Sequence, residues 1–230
     1  MNLSRAWFLL PRVPEPEAMD SNEEVEAYSS AAAQAHLDHL DDTFVDHTLS
    51  LGVRSGVALD VGTGPGQIPI KLARRLPQLQ IVGIDLSEAM LAKAGKNAAA
   101  AGVESQVRFE MGDACRLPFP DHHFDLAMCN SLLHHAADPL ATVNELARVT
   151  RPQGALLVRD LRRPSAFAFP FHVAWFGRHY QGLMKRLFTD SVRAAYTLRE
   201  LEDLLGKSKI VGGNVFRRGQ SHIGIARKSP

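Results

Sequence analysis

Three glycines at alternate positions, Gly62, Gly64 and Gly66, follow an acid, Asp60, that ends the apolar run Val57-Ala58-Leu59. Glycines so placed permit positive φ and let a ligand lie against bare backbone. A dinucleotide fingerprint is spaced G-x-G-x-x-G, with an acid about 20 positions further on. Here the spacing is G-x-G-x-G and the acid stands before the first glycine. A carboxylate there can face an ammonium while backbone N–H groups face a carboxylate. That suits the zwitterionic aminoacyl end of a cofactor better than a pyrophosphate. A second acid, Asp85, closes the apolar run Ile81-Val82-Gly83-Ile84 and can accept both hydroxyls of a ribose. Further on, Leu133-His134-His135 and Arg159-Asp160 set titratable side chains after two more apolar runs.

Positioning these groups needs strands that end where the chemistry begins. Residues 57–61, 80–85, 107–111, 124–129 and 154–161 read as strands. Helical stretches fall between them. The first is marked by Ile68, Ile70, Leu72 and Leu76 among Lys71, Arg74 and Arg75; the second runs from Glu88 to about Ala101 behind Ser87 as N-cap. Another has Asp138 as N-cap, Pro139 at its first position, and Leu140, Val143, Leu146, Ala147 and Val149 inward. Thr197 and Glu200 form a capping box for a helix through Leu205. Residues 210–216 and 221–227 read as two strands joined by Arg217-Arg218-Gly219-Gln220. Residues 1–20, with Pro11, Pro14 and Pro16, read as an extended arm, and residues 22–51 as helical.

Taken together, Leu59-Asp60-Val61-Gly62-Thr63-Gly64-Pro65-Gly66, Gly83-Ile84-Asp85-Leu86-Ser87-Glu88-Ala89-Met90-Leu91, Gly112-Asp113-Ala114 with Leu117-Pro118-Phe119-Pro120-Asp121, Phe124-Asp125-Leu126, Leu133-His134-His135 with Asp138-Pro139, and Arg151-Pro152-Gln153-Gly154 resemble the class I S-adenosylmethionine-dependent methyltransferases, in their small-molecule (type 11, UbiE-like) group. The motifs keep the family's order from about residue 57 to 160, under half of the chain. One departure is Pro152-Gln153-Gly154 in place of Pro-Gly-Gly, from which a slightly altered turn is expected.

The resemblance implies an α/β fold, a Rossmann-like, doubly wound seven-stranded sheet, mostly parallel with an antiparallel last strand. It implies an arm and cap helix over residues 1–51 and a methyltransferase domain over 52–230, whose insertion at 165–196 forms an aromatic acceptor lid. The implied cofactor is S-adenosylmethionine, leaving as S-adenosylhomocysteine. Its expected contacts are Asp60, Gly62, Thr63, Gly64, Gly66, Asp85 on the ribose, Leu86 on the adenine face, Met90, Asp113 on the adenine amino group, Ala114, Asn130, Ser131 and His135. Tyr28 either covers the cofactor or packs ordinarily. His135 and His134 are the expected catalytic residues, as base or orienting group. On the acceptor side stand Asp160, Arg163, Phe171, His172, Trp175, His179 and Tyr180; Asp160 either orients the acceptor or pairs with Arg162 or Arg163.

Composition narrows the rest. At 230 residues, 45% hydrophobic and 22% charged, one globular domain is expected. No run approaches the roughly 20 apolar residues of a membrane span, and the stretch from Ala6 to Leu10 is too short for a signal-peptide core, so the cytoplasm is expected. Cys115 and Cys129 make no disulfide framework. No metal is expected, because His122-His123 and His134-His135 flank a strand and match no zinc spacing. Enzymes of this fold that methylate base or amide nitrogens carry Asn-Pro-Pro-Tyr-like residues where this chain has Asn130-Ser131-Leu132-Leu133. Residues 1–144 hold 10 Lys and Arg against 19 Asp and Glu, and residues 145–230 hold 16 against 6. Either the two halves attract within one fold, or the basic half faces an anionic acceptor. The expected function is methyl transfer to a small, partly apolar molecule through O, S, N or C, in a monomer or homodimer without a nucleic-acid partner. An RNA or protein methyltransferase, or a non-catalytic cofactor-binding protein, is the alternative.

Overall fold

Apolar runs separated by amphipathic stretches of 9 to 19 residues build the sheet and its flanking helices. In the computed structural model, which describes residues 10–15, 23 and 31–229, the strands are β1 (Gly56–Val61), β2 (Leu79–Asp85), β3 (Val107–Met111), β4 (Phe124–Asn130), β5 (Thr150–Leu161), β6 (Asn214–Arg218) and β7 (His222–Arg227). They form one sheet in the order β3-β2-β1-β4-β5-β7-β6. β7 alone runs opposite to the other six strands. The doubly wound arrangement expected from the motifs is therefore the one observed.

The described helices are α1 (Ala31–Leu49), α2 (Gln67–Arg75), α3 (Glu88–Ala101), α4 (Pro139–Val149), α5 (Phe169–Phe176), α6 (Gly182–Ala194) and α7 (Leu198–Lys207). Alternate side chains along each strand go to opposite faces. From β1, Leu59 and Val61 join Val143 and Leu146 of α4 and Leu201 of α7, while Ala58 joins Phe44 of α1 and Leu72 of α2. Both faces are covered, which is why the central strands are apolar throughout rather than alternating.

The caps expected from sequence form: Ser87 accepts from Met90 N, Asp138 from Ala141 N, and Thr197 and Glu200 cap each other's backbone. Three boundaries differ. β5 starts at Thr150, before Gly154, and its pairing with β4 shifts between Phe124 and Leu126. Gly154 sits in that irregularity, where a Cβ would come within 2.9 Å of the Asp125 carbonyl oxygen, so the glycine remains although its neighbour is Gln153. β6 is shorter than expected and the final turn lies at residues 219–221. Finally, the arm is docked where it is described. Val13 N donates to Arg193 O, and Arg12 Nε to Ala194 O at 2.6 Å, so arm donors satisfy carbonyls at the end of α6 that no further helical turn could reach. The opposite charges of the two halves meet internally, as in Arg148–Asp121 at 2.7 Å and Arg151–Asp125.

Candidate active site

Parallel packing brings the carboxyl ends of β1, β2, β4 and β5 to one edge of the sheet, and a cavity of about 370 Å³ opens there. One end is bounded by Gly62, Gly64, Asp85, Ser87, Met90, Asn130 and Ser131. Gly62 has φ 73, and a Cβ on it would lie 2.9 Å from Leu132 Cδ1. Gly64 has φ 52 and nothing within 4 Å of where a Cβ would stand, so its backbone faces open space. The turn is internally tied: Gly62 N and Thr63 N donate to Ile84 O, and Gly64 N donates to Asp85 Oδ2 at 2.8 Å. Backbone N–H groups expected to face a ligand carboxylate are thus committed at Gly62, Thr63 and Gly64. Asp85 Oδ1 accepts from Ser87 N at 2.9 Å, and a carboxylate keeps lone pairs for further donors. Ser131, a non-glycine residue with φ 56, turns the chain sharply off β4 beside them.

Beneath the turn lies a pair of acids, with Lys71 and Arg159 acting on one of them, Asp41. Asp60 is buried, and burial pushes its carboxyl up to about 7, with the charges of Asp41 and Asp85 adding to the shift. Burial does the same to Asp41 of α1, also to about 7. Asp60 Oδ2 and Thr63 Oγ1 have no hydrogen-bond partner among the described residues. Asp41 borders a smaller cavity of about 50 Å³ together with Gly62, Thr63 and Gly64. Buried Asp60, half-buried Asp41 and an orphaned oxygen around a glycine turn are what an ammonium group would satisfy. Together with the Asp85 carboxylate and the bare Gly64 backbone, these residues fit the aminoacyl and ribose parts of S-adenosylmethionine.

The opposite end is apolar. Leu37 and Leu40 of α1, Leu132, Leu161, Phe176, Tyr180, Met184, Leu187 and Phe188 line it. Burial lowers His36, lowers His222 to about 3, and raises Tyr180 to about 12, so these three stay uncharged. The Arg178 guanidinium also lines the cavity, over the Trp175 ring. His134 shifts the other way. It is buried; its Nδ1 lies 2.5 Å from Asp160 Oδ1, and its backbone N donates to Asp160 Oδ2 at 2.8 Å. Burial opposes protonation of His134, but the Asp160 carboxylate more than offsets it, so the imidazole's pKa is raised; the same pairing holds Asp160 low. Glu15, from the docked arm, stands 3.8 Å from His134 Nε2 and 3.6 Å from His135 Nδ1.

The structure thus gathers Gly62, Gly64, Asp85, Met90, Asn130, Ser131, His134, His135, Trp175 and Tyr180 around one cavity, with Asp60, Thr63 and Asp160 supporting it from behind. Other candidates lie elsewhere. Asp113 is exposed and accepts from Cys115 N, Leu86 is 37% exposed, and Gly66 packs on Phe109; none of them, nor Ala114, borders this cavity. Arg163 is buried against Glu200 and the Ala195 carbonyl rather than paired with Asp160. Phe171 is 68% exposed, His172 is buried against Phe176, and His179 stacks on His36. Tyr28 lies outside the described residues. Sequence reading missed Glu15, Asp41 and Arg159. Buried Arg159 bonds Asn130 Oδ1, Thr43 Oγ1 and Leu40 O, and so ties α1 over the cavity. A charged residue inside the apolar run of β5 was the one available signal for it.

Residues 59–158 match a family model described as a methyltransferase domain. Demethylmenaquinone methyltransferase of Deinococcus radiodurans is 37% identical over 129 residues, 56% of this chain and 52% of that protein. The ubiquinone/menaquinone biosynthesis C-methyltransferase UbiE of Pseudomonas putida is 30% identical over 159 residues, 65% of this chain and 62% of that protein. The chain spans about half the length of the first curated relatives it matches. A solved SAM-dependent methyltransferase of Aquifex aeolicus shares the fold at a TM-score of 0.67, covering 91% of this chain and 99% of that one at 19% identity.

Proposed function

We propose that the chain, whose residues 59–158 match a methyltransferase domain, moves a methyl group from S-adenosylmethionine to a small, uncharged, partly apolar acceptor, a ring of the phenol or quinol kind. The observation that carries this is a single cavity running from the glycine turn and Asp85 to a wall built mainly of leucine, methionine and aromatic side chains. The similarity to demethylmenaquinone and ubiquinone/menaquinone methyltransferases supports the ring as acceptor class.

S-adenosylmethionine supplies an activated methyl on a sulfonium, so no separate activating group is required. The protein's work is positioning and exclusion of water. Asp85 holds the ribose hydroxyls, Asp60 and Asp41 face the ammonium, and Gly62 and Gly64 let the aminoacyl end lie on backbone. Leu37, Leu132, Tyr180, Met184 and Phe188 sheathe the acceptor ring. His134, fixed by Asp160, and His135 orient an oxygen of the acceptor at the boundary between the two ends. The apolar wall favours this acceptor class, although Arg178 also lines the cavity and residues 145–230 are basic as a whole.

The test is release of S-adenosylhomocysteine while the protein is offered pools of quinols, phenols, thiols, amines, carboxylates and RNA. Turnover confined to the quinol and phenol pools is expected. Turnover with RNA alone would replace the acceptor class. Tight cofactor binding with no release from any pool would remove the transfer reading.

A further inference from the structure

The wall carrying Glu15, His134 and His135 is built like a ligand set. Glu15 Oε2 is buried and has no hydrogen-bond partner among the described residues, while Oε1 accepts from Ser191 Oγ at 3.4 Å. The unpartnered oxygen lies between two imidazole nitrogens, at 3.6 and 3.8 Å, distances too long for hydrogen bonds. The three ligand-capable atoms fall within 4.8 Å of one another. Behind them, Asp160 Oδ1 engages His134 Nδ1 at 2.5 Å, which leaves Nε2, the atom facing Glu15, as the ligand atom. A carboxylate holding the far nitrogen of an imidazole is the usual outer support of a metal-bound histidine. The Arg12 guanidinium is engaged with the carbonyls of His134 and Ala194 and lies over the Tyr196 ring.

We infer that Glu15, His134 and His135 form a binding site for a divalent transition-metal cation, with Asp160 orienting His134. Two imidazoles and one carboxylate with open positions suit Zn²⁺, Fe²⁺ or Co²⁺ rather than Mg²⁺. Metal–ligand bonds of about 2.0–2.1 Å place tetrahedral ligand atoms about 3.4 Å apart, so the two Glu15 distances need to close by less than about 0.5 Å. The charges of Glu15 and Asp160 match a divalent ion. His134 and His135 both line the cavity, so the remaining coordination position opens toward the acceptor. This role rests on the methyl-transfer reading: the ion takes an acceptor hydroxyl oxygen, whose proton leaves to solvent, and the site thereby selects acceptors with an oxygen donor. It also makes the docked arm part of the site.

The test is titration of the chelator-stripped full chain with Co²⁺ alone, followed by visible absorption and calorimetry. One equivalent with the d–d bands of a low-coordinate nitrogen–oxygen site is expected, displaced by Zn²⁺. Glu15→Gln and His135→Gln should each weaken binding at least ~10-fold, and Asp160→Asn by roughly 10–100-fold; His123→Gln, at the far end of β4, should leave it unchanged. Circular dichroism establishes that each variant is folded. Absence of the cobalt spectrum, or binding within twofold of the parent in both Glu15→Gln and His135→Gln, overturns the site. Titrating the same samples with S-adenosylmethionine separates the two readings. Cofactor binding without cobalt binding removes the metal and leaves methyl transfer standing, whereas cobalt binding without cofactor binding does the reverse.

Discussion

At the glycine-turn end the cavity is made of backbone and carboxylates carried by adjacent strand ends, whereas its far end is walled by side chains from α1, α5, α6, the turn after β4, the last residue of β5, the segment after α5, and the start of β7. The electrostatics differ in the same way. Half-buried Asp41 and buried Asp60 are acids raised to about 7, an end that suits a positive charge. His36, His222 and Tyr180 are shifted so that each stays uncharged, within a wall that is mostly apolar and carries one guanidinium, Arg178. A cofactor that is charged, polar and constant can be met by short-range geometry that the β1 and β2 turns provide locally. An apolar acceptor is met by volume and shape, which only distant segments packed together provide.

If that division is right, substitutions at the first end should act on cofactor affinity and those at the second on acceptor affinity. The largest effect is expected at Asp85. Two charge-assisted hydrogen bonds, each about 1.5–3 kcal/mol, are lost in Asp85→Ala, so calorimetric affinity for S-adenosylmethionine should fall roughly 100-fold or more. The Gly64 N–H bonded to this carboxylate is also released. Unchanged affinity would falsify the ribose assignment.

Asp60→Asn comes next and separates stability from binding. The carboxyl's pKa is raised in the folded state, to about 7 from an ordinary 3.8, so folding binds a proton more tightly and the associated stability falls as pH rises from about 4 toward 7. The asparagine variant has no such proton. Its advantage over the parent in thermal unfolding of the cofactor-free protein should grow between pH 5 and 8, by a few kcal/mol at about 1.36 per pKa unit. Affinity for the cofactor should drop about tenfold at pH 8, because the partner of the ammonium is gone. A variant less stable than the parent at pH 8 would show that Asp60 is already compensated in the empty protein. A smaller effect is expected for Gly62→Ala, where φ 73 costs a side chain about 1–2 kcal/mol and the new Cβ meets Leu132. Chemical denaturation reads the first loss directly.

The same division explains what could be read from the chain alone. Strand ends, glycine spacing and capping residues are local signals, so β1 to β5, the α3 and α4 caps, Asp60 and Asp85 could all be placed from sequence. Glu15 could not. It sits in a proline-rich arm whose docking depends on carbonyls of residues 193 and 194 at the end of α6. Asp160 stood at the right strand end, but its partner is His134 rather than a nearby arginine, because buried carboxylate and imidazole face each other across the β4 and β5 ends while Arg162 bonds the Gln220 carbonyl and Arg163 bonds Glu200. The aromatics of α5 were visible as a cluster; which of them face inward depends on packing against α6 that no local pattern encodes.

That helix supplies the smallest expected effect. Trp175 borders the cavity yet is 64% exposed, under the Arg178 guanidinium at 4.7 Å, while Phe171 is 68% exposed and away from it. Little area is buried by either, so Trp175→Ser and Phe171→Ser should each change stability by no more than about 0.5 kcal/mol. For the acceptor that turns over, Trp175→Ser should raise KM a few-fold with kcat unchanged, the signature of lost contact common to ground and transition states. Phe171→Ser should leave both constants alone, and neither variant should alter cofactor affinity. Loss of cofactor affinity in Trp175→Ser equal to the loss for the acceptor would mean that the two ends form one binding unit, and the apolar wall would then have to be explained by the cofactor rather than by the acceptor.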